Sequence, residues 1–310
     1  MVAAFLAAVF FALSAVFANR TTQLVGVAAA NFARLWVAAG FLAAWAHGFG
    51  GGLHGGGVGV FVLSGMVGLG LGDLGLFAAL PLLGSRLTAL MVQCLAAPLA
   101  ALLEFLWLGT TLRPTELLCI GAILGGVGLA VAPERRASGE NPLRPLVDTA
   151  AHRRGVLFGC LAAAGQAGGA VISRKAHALS AASGYAVDGG TAAYQRILGG
   201  LLVVTAAYLL TRRRAASAAG TTGTTGAAPA WRRAAPWVVA NSLAGAVLGV
   251  SCYQRALATT PSALVMPIVA LTPLVVVPFA FFIEHERPSG RSLLGGVIAV
   301  GAAALLASHR

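Results

Sequence analysis

The chain has 310 residues, of which 58% are hydrophobic and 10% charged, with a mean hydropathy of +0.85. Soluble domains carry about 25% charged residues, so composition excludes a water-soluble globular protein. The formal charge of +12 does not point to nucleic acid, because the arginines gather in connections between apolar runs and no polar domain remains to present a basic face.

A helix that crosses the hydrocarbon needs about 20 apolar residues and must satisfy its own backbone hydrogen bonds. Stretches of that kind lie near Val2–Ala18, Ala28–Ala46, Val58–Leu80, Leu87–Leu108 and Pro114–Val131. A second set lies near Val156–Ile172, Ala192–Leu210, Trp237–Ala258, Ser262–Ile283 and Ser292–Ala307. Period-2 alternation, which barrel strands require, is absent. The first stretch ends on Val16-Phe17-Ala18, a pattern resembling a signal-peptide cleavage site. No basic residue precedes it, so it is expected to remain as the first helix.

The run Gly48–Gly59 lacks the Gly-Lys-Ser/Thr ending of a P-loop. It is expected to be a flexible connection, and ATP hydrolysis is not encoded. The third stretch carries Gly68, Gly72 and then Asp73. Gly70-Leu71-Gly72-Asp73 has the letters of an intramembrane aspartyl protease motif, but that chemistry needs a second carboxylate, and Asp148 and Asp188 lie in connections. Two readings of Asp73 stay open. It faces a wet cavity as a substrate-contacting or proton-coupling group, or it is neutral or paired with an arginine such as Arg255 in a structural role.

Gln93 and Gln166 fall near the middle of the fourth and sixth stretches, where a glutamine either bonds another helix or lines a wet site. Glu104 is expected to snorkel at the end of the fourth. Gly121/Gly125, Gly165/Gly169 and Gly245/Gly249 repeat the spacing of Gly68/Gly72, which lets helix backbones approach closely. Arg34 and Arg196 open the second and seventh stretches at matching places, so interfacial anchoring is the expectation for both. In Ser251-Cys252-Tyr253-Gln254-Arg255 the arginine either snorkels or, beside Tyr and Gln, holds a carboxylate. Pro98 and Pro273 fall at corresponding points, so both halves are expected to bend there. His285, between Glu284 and Glu286, reads as solvated surface. Cys94, Cys119, Cys160 and Cys252 lie in apolar runs without metal-like spacing, so neither a metal nor a disulfide is expected.

The second half repeats the first. Leu80-Pro81-Leu82-Leu83-Gly84-Ser85 leading to Ala97-Pro98-Leu99 has its counterpart in Leu257-Ala258-Thr259-Thr260-Pro261-Ser262 leading to Thr272-Pro273-Leu274. An odd number of crossings per repeat turns the two halves upside down relative to each other, and such inverted repeats build transport paths at their interface. The expected fold is therefore an all-α integral membrane protein with ten transmembrane helices in two inverted five-helix repeats. Residues 1–132 form the first repeat, 133–154 a polar linker and 155–310 the second repeat, with 211–234 a flexible polar loop.

The chain resembles the EamA branch of the drug/metabolite transporter superfamily over almost its whole length. The most specific part is Gly245…Gly249…Tyr253-Gln254-Arg255-Ala256-Leu257…Pro261-Ser262-Ala263…Leu271-Thr272-Pro273, followed by Glu286-Arg287. The resemblance implies a central cavity between the third, fourth, eighth and ninth helices with the first and sixth. It thereby implies Ser14, Asp73, Gln93, Gln166, Tyr253, Gln254 and Thr272 as substrate-binding candidates. Departures exist: the Leu-Gly-Glu ending common after the fourth helix reads Leu108-Gly109-Thr110-Thr111, and the first repeat has two extra residues between Leu80 and Pro98.

Charge and resemblance disagree on orientation. Fifteen of the 21 Lys and Arg residues lie on the side of the odd-numbered connections, which places the termini outside the cytoplasm, whereas the resemblance places them inside. The expected function is secondary transport, by export or exchange, of small polar metabolites such as amino acids in the plasma (inner) membrane. The alternative is a non-transporting membrane sensor or scaffold, and behind it an intramembrane enzyme. No enzyme activity, cofactor or nucleic-acid partner is expected. The partners are the small-molecule substrate and the lipid bilayer, proton coupling through Asp73 is the open addition, and the chain is expected to act as a monomer.

Overall fold

The computed structural model describes residues 2–108, 113–131, 149–218, 227–259, 265, 268–284 and 289–308. Among these residues the structure is all-helical. It comprises α1 (Val2–Val25), α2 (Val27–Gly48), α3 (Val58–Gly65), α4 (Asp73–Leu108), α5 (Pro114–Val131), α6 (Thr149–Ala182), α7 (Gly189–Ala218), α8 (Ala227–Asn241), α9 (Val250–Thr259), α10 (Thr272–Phe279) and α11 (Gly290–Ser308). Three wider π segments interrupt this order: Met66–Gly72 joins α3 to α4, Ser242–Gly249 joins α8 to α9, and Ala280–Glu284 extends α10.

Seven stretches are long and apolar enough to cross a membrane, and Thr272–Glu284 and Gly290–Leu305 are shorter apolar helices. Large apolar side chains such as Leu118, Leu157, Leu202 and Phe282 are exposed on the outside of the bundle. That pattern suits lipid, which rewards apolar surface where water would penalise it. The chain is a multi-pass membrane protein.

Several boundaries differ from the sequence expectation. Val58–Ala100 runs as one long stretch, and the divide between the third and fourth expected spans is a single residue, Gly84, at φ 80° and ψ 169°. Only a residue without Cβ takes that backbone conformation at little cost. The expected flexible loop at 211–234 is largely helical: α7 continues to Ala218 and α8 starts at Ala227, because the flanks are rich in alanine, the strongest helix former. Residues 219–226 lie outside the described ones, as do most of the 133–154 linker, His285, Glu286 and the side chain of Glu104. Pro98 sits inside α4, but Pro273 does not bend a helix. The chain turns at Ala270–Leu271 and Pro273 then occupies the first turn of α10, where its missing N–H costs nothing.

Glycines decide which helices touch. An added Cβ on Gly165 would lie 2.4 Å from the Gly72 Cα, and one on Gly169 would lie 3.0 Å from the Gly68 Cα, so the first π segment and α6 meet backbone to backbone. Gly245 and Gly249 in the second π segment pack on Ser14 and Phe11 of α1. The pair Gly121/Gly125 behaves differently. No described residue approaches either one, and it is the neighbouring Gly126 that meets Gly295 and Ala299 of α11. The glycine-rich connection after α2 is packed rather than open. Gly50 abuts Asp188 and Thr191, Gly51 abuts Tyr185, and Gly57 abuts Ala176, which leaves no room for side chains there.

Helices α2 and α7 lie side by side and run in opposite directions. Phe32 near the start of α2 stacks on Tyr208 near the end of α7 at 4.3 Å, and His47 at the end of α2 meets Tyr194 near the start of α7 at 5.2 Å.

Candidate functional site

A cavity of about 80 Å³ lies at the centre of the bundle. Helix α1 supplies Phe11 and Ser14, α2 supplies Arg34, α4 supplies Asp73, Phe77, Thr88 and Gln93, and α6 supplies Gln166. From the second half come Arg196 of α7, Gly245 of the second π segment, Tyr253 of α9 and Thr272 of α10. Pockets for drug-sized ligands usually measure about 300–1,000 Å³, so this one fits a small solute.

The first π segment explains why Asp73 points here. A π turn is wider than an α turn and shifts the register of everything after it. Asp73 is the first residue beyond that segment, and it is buried in the centre, with its Oδ2 in an ion pair with Nη2 of Arg34. Arg34 also stands 5.0 Å from the Phe77 ring centroid, in cation–π geometry, and has a longer contact of 3.4 Å to Asn31 Oδ1. Asp73 therefore faces a guanidinium, not a second carboxylate. Its partner is Arg34 and not Arg255, which is exposed at the end of α9.

Both arginines correct the sequence expectation of interfacial anchoring. Arg34 is 5% and Arg196 3% exposed, and both line the cavity. Their helices begin at Val27 and Gly189, earlier than hydropathy places them. Each arginine is therefore two turns, about 11 Å, inside its helix rather than at the opening. Arg196 makes no hydrogen bond or ion pair with a described residue, and its Nε is buried without a partner. Room for its guanidinium comes from the glycines opposite: an added Cβ on Gly68 would stand 2.9 Å from Nη2, and one on Gly169 3.2 Å.

Of the seven binding candidates, Ser14, Asp73, Gln93, Gln166, Tyr253 and Thr272 come together around this one cavity. Ser14 donates to Asn241 Oδ1 at 2.7 Å, and Thr272 donates to the Val269 carbonyl at 2.6 Å, so both keep oxygen lone pairs for an incoming donor. Gln254 is elsewhere. It is fully buried between α6 and α9, where its Oε1 accepts from Ser173 Oγ at 2.7 Å and from His177 Nε2 at 3.1 Å.

Polar ties hold each end of the bundle. At one end Glu284 accepts from Asn19 at 2.8 Å and from Ser85 at 2.6 Å, which joins α1, the Gly84 break and the third π segment. Near the other, Asp188 caps α7 by accepting from the backbone N–H groups of Gly190 and Thr191, and it also accepts from Trp45 Nε1 at 3.0 Å at the end of α2. Burial raises the Asp188 carboxyl, but hydrogen bonds from Thr191, Trp45 and Gly190 outweigh it and hold the group below the ordinary carboxylate value.

The sequence profile of the EamA-like transporter family matches residues 1–132 and 153–308. This chain belongs to the EamA-like transporter family. That family lies within the drug/metabolite transporter superfamily and is a family of transporters, not of enzymes. Among curated proteins none matches the chain. A solved crystal structure matches over 98% of this chain and 95% of its own, with a TM-score of 0.58 at 17% identity. That likeness is one of fold alone.

Proposed function

We propose that this EamA-family chain is a secondary transporter, acting as exporter or exchanger, that moves small polar metabolites such as amino acids across the plasma (inner) membrane. One observation carries the reading: a central cavity whose polar lining is drawn from both halves of the chain. Alternating access follows if residues 1–132 and 155–310 are inverted five-helix repeats that tilt against each other about that cavity. The opposite runs of α2 and α7 support this, as do the glycine-bearing π segments at matching places. Counting Val58–Ala100 as two spans at Gly84, and both shorter apolar helices as spans, brings the seven long stretches to ten.

In this reading Ser14, Asp73, Gln93, Gln166, Tyr253 and Thr272 contact substrate, while Gln254 holds the helix that carries Tyr253. Asp73 carries the coupling proton: neutralised, it releases Arg34, and the broken pair is the local change that a tilt transmits. The protein acts as a monomer.

Comparing the metabolites released by cells with and without the protein identifies candidate substrates, and purified protein in proteoliposomes then tests them. If none of those compounds crosses the vesicle membrane faster with the protein present, the transport reading is wrong. With a transported compound in hand, Asp73→Asn abolishes flux driven by a pH gradient; undiminished coupling removes the proton role.

A further inference from the structure

We propose that Arg196 is the anion-recognising group of the cavity, and that the solute it takes carries a single carboxylate. This rests on the transport reading above and names the chemistry of its substrate.

Charge decides first. Among the described residues, the side chains of the Asp/Glu/Lys/Arg type that line the cavity are Arg34, Arg196 and Asp73. Asp73 is committed in contact to Arg34. One positive charge is therefore left over, on a guanidinium that is 3% exposed and has no hydrogen bond or ion pair with a described residue. Burying an unpaired charge is expensive, and proteins that keep one usually have something to neutralise it. A carboxylic acid without an amino group closes the balance. An amino acid is a zwitterion, so its carboxylate pairs with Arg196 while its ammonium leaves the net charge of the cavity unchanged. A phosphate dianion would overshoot by one charge and leave a buried negative group in its place.

Geometry agrees. A guanidinium presents parallel N–H groups that match the two oxygens of a carboxylate. Gly68 and Gly169 leave the space that the Arg196 head occupies, and a single methyl on Gly68 would press on Nη2. The slot is thus formed by the same backbone-to-backbone crossing that joins the first π segment to α6. Phe11, Leu69, Phe77 and Val92 line the cavity beside the polar groups, so the rest of the solute meets apolar surface. Gln93 and Gln166 offer both donors and acceptors, which admits an amino group without requiring one.

The test needs no variant to begin. Purified protein in detergent is heated with propionate, alanine, leucine and phenylalanine, with the amide of each, and with inorganic phosphate. At least one acid raises the melting temperature, and its apparent affinity exceeds that of its own amide by roughly 10- to 100-fold, the range for a charge-assisted hydrogen bond to a buried group. Propionate against alanine separates a plain carboxylic acid from an amino acid. Arg196→Gln loses the preference for acid over amide, and Arg196→Lys keeps part of it. Acids that stabilise no better than their amides, or phosphate that stabilises better than every acid, would overturn the proposal. So would an Arg196→Gln protein that still prefers acid. Flux of some other metabolite in proteoliposomes would survive any of these results, so the carboxylate assignment can fail while the transport reading stands.

Discussion

Helices α2 and α7 lie side by side and run in opposite directions, and each carries an arginine eight residues beyond its cap, Arg34 after Gly26 and Arg196 after Asp188. Their fates differ. The first half supplies its own anion, because Asp73 emerges from a π segment and meets Arg34, while Phe77 from the same helix covers the guanidinium. In the second half the residue that follows the π segment is Val250, which is apolar, and Arg196 has no hydrogen bond or ion pair with a described residue. The same order of cap, arginine and π segment thus coexists with a difference in charge. One arginine became part of the frame, and the other was left facing the cavity.

The sharpest way to break this comparison is to make the two arginines alike. Asp73→Ala leaves Arg34 as a second buried, unpaired charge and destabilises the protein by about 3–5 kcal/mol, the usual loss when one member of a buried pair is removed. Thermal unfolding in detergent measures it. Arg34→Met added to Asp73→Ala recovers much of the loss, and a double-mutant cycle without coupling between the two would dissolve the distinction. Next in size is the seam beneath Arg196. A Cβ on Gly65 would fall 1.7 Å from the Arg196 carbonyl oxygen, so Gly65→Ala forces α3 and α7 apart and costs about 1–3 kcal/mol. Gly125→Ala, on a face that no described residue approaches, gains up to about 1 kcal/mol of helix propensity instead.

The third prediction has the opposite sign. Arg196→Gln removes a charge that no described residue balances, so the empty protein melts at or above the wild-type temperature, by about 1 kcal/mol of stability, while carboxylate recognition is lost. Stability gained at the expense of function is the usual signature of a functional group held in an unfavourable place. A fall in melting temperature as large as that of Asp73→Ala would mean that Arg196 is structural like its counterpart.

Which of these features could be seen in the letters follows from what each depends on. Membrane class and most spans depend on local hydropathy, whereas the seven binding candidates come from the family resemblance, and six of them line the one cavity. The arginines were misplaced because hydropathy marks where apolar residues begin, not where the helix does. Gly26 and Asp188 signal the true starts, and counting two turns from them puts both guanidinium groups inside the hydrocarbon. Gly121/Gly125 and Gly126 are indistinguishable by spacing, since only the partner helix α11 decides which one is covered. The π segments leave no mark in hydropathy: two of them carry the glycines that pack against α6 and α1, and the third, Ala280–Glu284, contains none.

The smallest effect lies at the cap that begins α7. Asp188→Ala removes the acceptor for the Gly190 and Thr191 N–H groups and for Trp45, at a cost of about 1 kcal/mol. The corresponding cap of α2 is Gly26, which makes no side-chain hydrogen bond, so Gly26→Ala tests only its positive φ of 83°. The pH dependence has a definite sign. The folded Asp188 carboxyl lies below its ordinary value of 3.8, so its contribution is fully present above that pH and is lost as pH falls through the lower, folded value. Asp188→Asn keeps an oxygen that caps the helix but cannot titrate, so its stability relative to wild type improves as the solution is acidified across that window. A difference that stays flat with pH would show that the carboxylate charge adds nothing to the cap. Trp45 and the glycine-rich connection would then be what seats α7, and with it Arg196, at its depth in the bundle.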